Sequence, residues 1–342
     1  MKAAPHKAES LKTAHNLISK HNCGKVQYTS DLSTYRKRAK AKFAQNTLMR
    51  VMAKLNSPLA AKYEETQFCS YSLIQNGNTF TARYCKQRWC RICNRIRTGK
   101  LMNGYSDAIQ AMAEPQFVTL TIPNVPGDKL RESIKLMLNN FRKIQDLRRK
   151  NKQPLIKAIR KLECTYNPDR NDFHPHVHLI VEDLQQAEEL KLAWMERNPE
   201  ALEYLQDIRP AKEPIELFKY FAKLTSKGSK DIKTYKGKKL ISREEYHYPE
   251  ALDLIFQAIA GMRIIQPMGS VKMVSDEIEE IESVEIENVE SDQALWQWQK
   301  IGTTAEKYTY DWVNIFTGEC LTGYEPSEKE WKYSKRIRYL QV

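Results

Sequence analysis

The chain has 342 residues and a formal net charge of +13, with 41% hydrophobic residues, so it is long enough for two domains with real cores. No run approaches 18 apolar residues and the N-terminus lacks a signal-peptide apolar core, which argues against a membrane protein and predicts a cytoplasmic one. The seven cysteines are then expected as thiols or metal ligands, not disulfides.

The charge is unevenly placed. Residues 1–150 carry 28 Lys and Arg against 9 Asp and Glu, a balance of +19, whereas residues 151–342 carry 27 against 33, a balance of −6. The basic half suits a polyanion whose phosphates it would neutralise; a merely solvated basic surface is the plainer alternative. Within it, the Tyr35–Phe43 stretch reads as helix. Arg36, Lys37, Arg38, Lys40 and Lys42 are candidate phosphate contacts, and Cys23 has no assigned role.

A cysteine cluster follows. Cys69, Cys85, Cys90 and Cys93 have the spacing C-x₁₅-C-x₄-C-x₂-C, which suits a closed, structural Zn²⁺ site of four thiolates. Buried free thiols and a redox dithiol compete, but no strand-to-helix redox context surrounds Cys90 and Cys93. Arg83, Lys86, Arg88, Arg91, Arg95 and Arg97 interleave with Tyr84 and Trp89, a face suited to the DNA backbone.

Phe117–Ile122 reads as a strand closed by Pro123-Asn124-Val125-Pro126-Gly127. Asp128 then caps a helix with an apolar stripe from Leu130 to Leu147. Ile159–Tyr166 is a second strand, and Asn167–Asn171 is a turn leading to Phe173-His174-Pro175-His176-Val177-His178-Leu179-Ile180-Val181. Alternation puts His176 and His178 on one strand face, close enough to share a metal ion. An antiparallel hairpin pairing Glu163 with His178 would add a carboxylate on that face. Two imidazoles and one carboxylate with open positions suit Mn²⁺ or Mg²⁺ holding a phosphate oxygen, with His174 as the alternative third ligand. Chance clustering of core histidines is the bland alternative.

Residues 184–206 read as an amphipathic helix, and Pro214–Lys223 as a helix with Leu217, Phe218 and Phe221 buried and Glu216, Tyr220 and Lys223 opposite. Spacing alone does not single out Tyr220. Lys227–Lys239 reads as a basic loop and Ala251–Ile265 as an apolar helix. Asp276–Asp292 holds nine acids and no Lys or Arg, either a solvated acidic surface or a DNA mimic, and Trp312–Cys320 resembles a hairpin entering a turn. The element order predicts an α+β fold, helices packed on a mainly antiparallel sheet. The expected organisation is a basic N-terminal region with the zinc module (1–110), a catalytic domain (111–270) and an acidic/β extension (271–342).

Cys85-x₄-Cys90-x₂-Cys93, Phe117–Thr121, Leu162–Asn167, His174–His178 and Glu216-x₂-Lys219-Tyr220-x₂-Lys223 stand in the order found in plasmid-type rolling-circle replication initiators. These are members of the His–hydrophobic–His (HUH) endonucleases, which the chain resembles over roughly residues 60–225. The knuckle lacks the Pro common in relatives, and Phe221-Ala222 stands where they tend to carry Pro-Val. The resemblance implies an HUH-type catalytic domain in which His176, His178 and Glu163 hold the cation and Tyr220 is the nucleophile. It implies that Glu216 activates water for the terminating cleavage, while Lys219 and Lys223 stabilise charge. The implied partners are the plasmid double-strand origin, single-stranded at the nick, a host replicative helicase and DNA polymerase, and a second copy in a homodimer. A transposase or relaxase of the same superfamily, a non-catalytic zinc-containing DNA-binding protein, and a metallohydrolase using metal-bound water are the competing readings.

Overall fold

The computed structural model describes residues 33–76, 79–212, 217–218, 225–235, 238–278, 294–302 and 309–338. Two helices, α1 (Ser33–Met52) and α2 (Ala60–Gln67), precede a hairpin of β1 (Ser72–Asn76) and β2 (Thr79–Ala82), and then α3 (Arg91–Gln110). β3 (Gln116–Thr121), α4 (Leu130–Lys150), β4 (Ala158–Asn167), β5 (Asp172–Val181), α5 (Leu184–Arg197) and β6 (Asp207–Pro210) form the middle of the chain. β7 (Ser226–Tyr235), β8 (Lys238–Tyr246), α6 (Pro249–Ile259), β9 (Ile265–Met268), β10 (Ala294–Ile301), β11 (Thr309–Asn314) and α7 (Glu328–Ser334) complete it. The expected mixed α+β character with antiparallel sheets is borne out.

The central sheet has the order β6-β3-β5-β4-β9, every pair antiparallel. Alternation along its inner strands sends Val118, Leu120, Leu162, Val177 and Leu179 to one face, each at most 1% exposed. Against that face lies the stripe of α4, where Leu130, Ile134, Met137, Phe141 and Ile144 recur at helical spacing and are buried. Each such side chain contributes about 1.5–3 kcal/mol on leaving water. α5 flanks α4 through Phe141–Trp194 ring contact, and the Trp194 indole donates to the Thr121 carbonyl at 3.2 Å. The other face carries Glu163, His176 and His178 beside the buried apolar Phe117, Ile159 and Ile180.

Several elements end differently from the sequence expectation. Asp128 does not cap α4: it sits inside a 3₁₀ turn, Gly127–Lys129, and Lys129 is the N-cap, without a side-chain capping bond. α5 stops at Arg197 instead of 206, because Pro199 forces Asn198 out of the helical region, to φ −131° and ψ 70°. α6 stops at Ile259 instead of 265, before Gly261 at φ +77°. There the Arg131 guanidinium takes the Gln257, Ala258 and Ala260 carbonyls. The expected loop at 227–239 is a hairpin of β7 and β8, paired from Ser226↔Tyr246 to Tyr235↔Lys238. Its lysine-rich sequence lacks the alternation that signals a half-buried strand.

A second sheet, β11-β10-β1-β2, joins the basic N-terminal region to the C-terminal extension, expected as separate regions. Trp296, Trp298 and Trp312 pack there with Ala39 and Phe43 of α1. Cys320 is disulfide-bonded, against the expectation of reduced thiols throughout. No helix of the described residues is long and apolar enough to cross a membrane.

β9 flanks the site-bearing β4 and turns away at Gly269, whose φ is +65° and whose added Cβ would meet the Ile156 carbonyl oxygen at 2.8 Å. Gly269→Ala is therefore expected to cost about 1–3 kcal/mol, read as a lowered midpoint in chemical denaturation.

Candidate active site and metal centres

The hairpin of β4 and β5 builds the first centre. It closes through residues 168–171, where the Asp169 N–H donates to Asn167 Oδ1 at 3.0 Å and Asn171 takes φ 53°. With Asn167 opposite Asp172, Glu163 falls opposite His176 and Lys161 opposite His178. The expected pairing of Glu163 with His178 is thus off by two residues, because the turn is shorter than that register needs. A slip of two preserves the strand face, so the carboxylate still joins both imidazoles. β3 adds Thr119 opposite His178 and Thr121 opposite His176.

Glu163 Oε2 lies 3.6 Å from His176 Nε2 and 3.6 Å from His178 Nε2, and the imidazole centroids are 4.8 Å apart. His176 Nδ1 is 3.0 Å from the His174 carbonyl, which can only accept, so that nitrogen carries a proton and Nε2 is the atom turned to Glu163. His178 Nδ1 bonds Thr119 Oγ1 at 3.0 Å, which turns its Nε2 the same way. Two imidazole nitrogens and a carboxylate oxygen facing one another repel unless a proton or a metal cation sits among them, and outer bonds of this kind orient metal-binding histidines. Ligand atoms of Glu163, His176 and His178 all lie within 4.8 Å of one another, close enough to share one ion. His174 stands outside this group. It stacks on His176 at 4.9 Å, and burial followed by the charge of His176 lowers it to about 4, so it stays neutral.

The other Glu163 oxygen meets Lys161 Nζ at 2.5 Å. Burial alone would raise Glu163. The two imidazoles and the Lys161 ammonium outweigh it and hold the carboxyl well below the usual range, so it is ionised at neutral pH. Sequence reading missed Lys161, although its parity with Glu163 on one strand was a usable signal. Tyr220, Glu216, Lys219 and Lys223 lie outside the described residues. Leu217 and Phe218, between them, are buried as expected. Phe218 stacks on Tyr105 of α3 at 5.8 Å, and its carbonyl accepts from Thr98 Oγ1 at 3.2 Å.

Cys69, Cys85, Cys90 and Cys93 converge as a second centre, with Sγ···Sγ separations of 3.6 Å (Cys69–Cys93), 3.8 Å (Cys85–Cys93) and 3.5 Å (Cys69–Cys90). A tetrahedron with Zn–S of about 2.3 Å has an edge of about 3.8 Å, so the set fits that ion. Cys90 is also the N-cap of α3 and accepts from the Cys93 N–H, which aims the helix's positive end at the sulfurs. All four are buried. From α1, the fully buried Lys42 donates to the Cys69 carbonyl at 2.5 Å and to the Gln67 carbonyl at 3.2 Å.

The basic residues divide. Arg36, Lys37 and Arg95 are exposed, and Arg38, Lys86, Arg88 and Arg91 are partly so. Arg97 is not on the surface: it is 5% exposed and its guanidinium holds the Lys86 and Gln87 carbonyls. Arg88 ion-pairs with Asp276 at 2.6 Å, where the acidic run begins, and most of that run lies outside the described residues. Substituting Cys90 and Cys93 by Ser together is expected to remove one equivalent of zinc per chain, measured by metal analysis. Unchanged zinc would sink the four-sulfur site.

Residues 77–184 match the family described as Replication protein. The chain is 35% identical over 120 residues to Protein rep of Staphylococcus aureus, covering 33% of this chain and 52% of that protein. It is 32% identical over 108 residues to Protein rep of Streptococcus pneumoniae serotype 2, covering 30% of this chain and 33% of the relative, and equally to that of a Bacillus species, covering 30% and 34%. It thus spans about half or less of these relatives' length. No solved structure matches. The matched stretch holds Cys85, Cys90, Cys93, Glu163, His176 and His178 and ends before Tyr220; over it the chain is similar to the replication-protein family, as the order of its motifs implied.

Proposed function

We propose that the protein is a metal-dependent, site-specific DNA nicking and joining enzyme that initiates rolling-circle plasmid replication. One contrast carries the reading. The sulfur cluster is buried at every member, as a closed structural site is. The Glu163 and His178 side chains are 24% and 22% exposed, which leaves an open side where a phosphate can enter. That open side favours catalysis over a second structural metal site in a non-catalytic DNA-binding protein.

Glu163, His176 and His178 would hold the cation, Mn²⁺ or Mg²⁺, whose chemistry is to polarise the scissile phosphate. The His174 carbonyl and Thr119 fix the imidazole orientations, and Lys161 engages Oε1 of Glu163 so that Oε2 faces the histidines. Tyr220 is the nucleophile in this proposal. Its phenolic oxygen attacks phosphorus, the bond to the 3′ oxygen breaks, and a 5′-phosphotyrosyl adduct and a free 3′-hydroxyl result. Lys219 and Lys223 offset charge on the phosphate, and Glu216 activates water for the terminating cleavage. The zinc module, with Arg36, Lys37, Arg38, Lys86, Arg88, Arg91 and Arg95, supplies backbone contact with the origin. The freed 3′ end then passes to the host helicase and polymerase.

With supercoiled plasmid bearing the cognate origin and Mn²⁺, the wild type is expected to give nicked circles with protein on the 5′ end. Tyr220→Phe should give none while binding is retained. Equal nicking by both would move the nucleophile to another tyrosine or to a metal-bound water. Lys161→Met should weaken Mn²⁺ binding about tenfold in an electron paramagnetic resonance titration, with Lys161→Arg closer to wild type. An unchanged affinity in Lys161→Met, alongside a loss in Glu163→Gln, would deny Lys161 its positioning role.

A further inference from the structure

Arg160 alternates with Lys161 and Glu163 along β4, so it points away from the metal-binding face and lies under α4. It is 3% exposed. Its Nη2 donates to the Arg263 carbonyl at 3.3 Å and to Gln266 Oε1 at 3.0 Å, its guanidinium lies 5.8 Å from the Phe141 ring centroid, and its Nη1 is buried without a hydrogen-bond partner. Among the described residues no carboxylate pairs with it, and the charge that acts on it is that of Arg263, of the same sign. A buried guanidinium without a counter-charge is strongly unfavourable.

Arg160 forms part of a cleft of about 700 Å³ between α4 and the turn from α6 into β9. Six cationic side chains line it, among them the exposed Lys135, Arg142, Arg149 and Arg263, and Asp146 is its one carboxylate. Asp146 is already shared by Arg149 at 2.8 Å and Arg142 at 4.0 Å. The cleft therefore has cationic walls, a buried cation beneath them and no anion left over for it.

We propose that this cleft, on the face of the central sheet opposite Glu163, is a phosphate-binding site with Arg160 at its base. Guanidinium groups match the oxygens of a phosphate monoester or diester, and several converging cations favour a phosphate, or two neighbouring phosphates, over a lone carboxylate. A DNA backbone phosphate and a free nucleotide share that chemistry. The site is independent of the nicking reaction, since it uses none of its residues.

Calorimetric titration with inorganic pyrophosphate, without added divalent cation, is expected to show one saturable site in the wild type. Binding should be at least tenfold weaker in Arg160→Met. The double variant Lys135→Glu, Arg263→Glu changes exposed residues only, so it keeps the fold even if Arg160→Met does not, and it should lose binding too. Fluorescence anisotropy with duplex origin DNA separates the sources. Weaker binding and a shallower salt dependence in the double variant assign the cleft to a backbone phosphate. Unchanged DNA binding with lost pyrophosphate binding assigns it to a small phosphate compound. Saturable pyrophosphate binding that survives in the double variant, or its absence from the wild type, overturns the proposal.

Discussion

The register between β4 and β5 is the constraint on which the site depends. Glu163 and the two imidazoles come from different strands, so their convergence exists only through the ladder that sets Glu163 opposite His176. A slip of one residue would send Glu163 under the helices and bring Arg160 or Leu162 to the histidines. The helix side forbids that slip. Leu162, Val177 and Leu179 are buried there against α4 and its neighbours, and exchanging them for Glu163 and His178 would place ionisable groups in an apolar layer. The fold thus protects the site from the far side of the sheet, by making every other register expensive.

Strand parity was legible in the sequence and strand pairing was not. The alternation around His176 and His178, and that of Phe117–Ile122, fixes which side chains share a face, and those faces are the ones found. Partner and offset depend on turn length, which composition reports poorly: Pro168–Asn171 closes the hairpin two residues tighter than expected. Longer-range pairing was invisible for the same reason. Nothing in Ser72–Asn76 announces that its neighbour is Ala294–Ile301, more than 200 residues away. Helix starts and bodies were clearer than helix ends, which hinged on single residues such as Pro199 and Gly261.

The two candidate centres illustrate local and non-local assembly. Cys90 and Cys93 lie on the first turn of α3, so their geometry follows from the helix itself. Cys69 is brought in from the other side of the β1–β2 hairpin, and Lys42 of α1 is held against its carbonyl. Burial lowers Lys42 to about 8, while the four sulfurs act to raise it; a cluster bearing negative charge therefore favours the ammonium form at that buried position. Lys42 also lies 5.6 Å from the Trp298 ring, so the sulfur cluster, α1 and the tryptophan-rich sheet are packed as one unit and not as a bead on a linker.

That packing changes what the basic half of the chain has to offer. Summed over residues 1–150 the charge is +19, yet part of it is engaged within the molecule. Lys42 and Arg97 are buried on carbonyls, Lys40 meets Glu330 at 2.5 Å, Arg36 donates to the Thr322 carbonyl at 2.9 Å, and Arg88 is paired with Asp276. Several of these partners come from the C-terminal part of the chain, the half with the acidic balance. An exposed pair such as Lys40 with Glu330 is worth about 0–1 kcal/mol, so a phosphate can replace that carboxylate at little cost, whereas Arg97 and Lys42 cannot leave the interior. Among the candidate phosphate contacts of the cysteine-rich region and α1, Lys37, Arg83 and Arg95 are exposed, so their charge faces solvent and is not taken up by the interior.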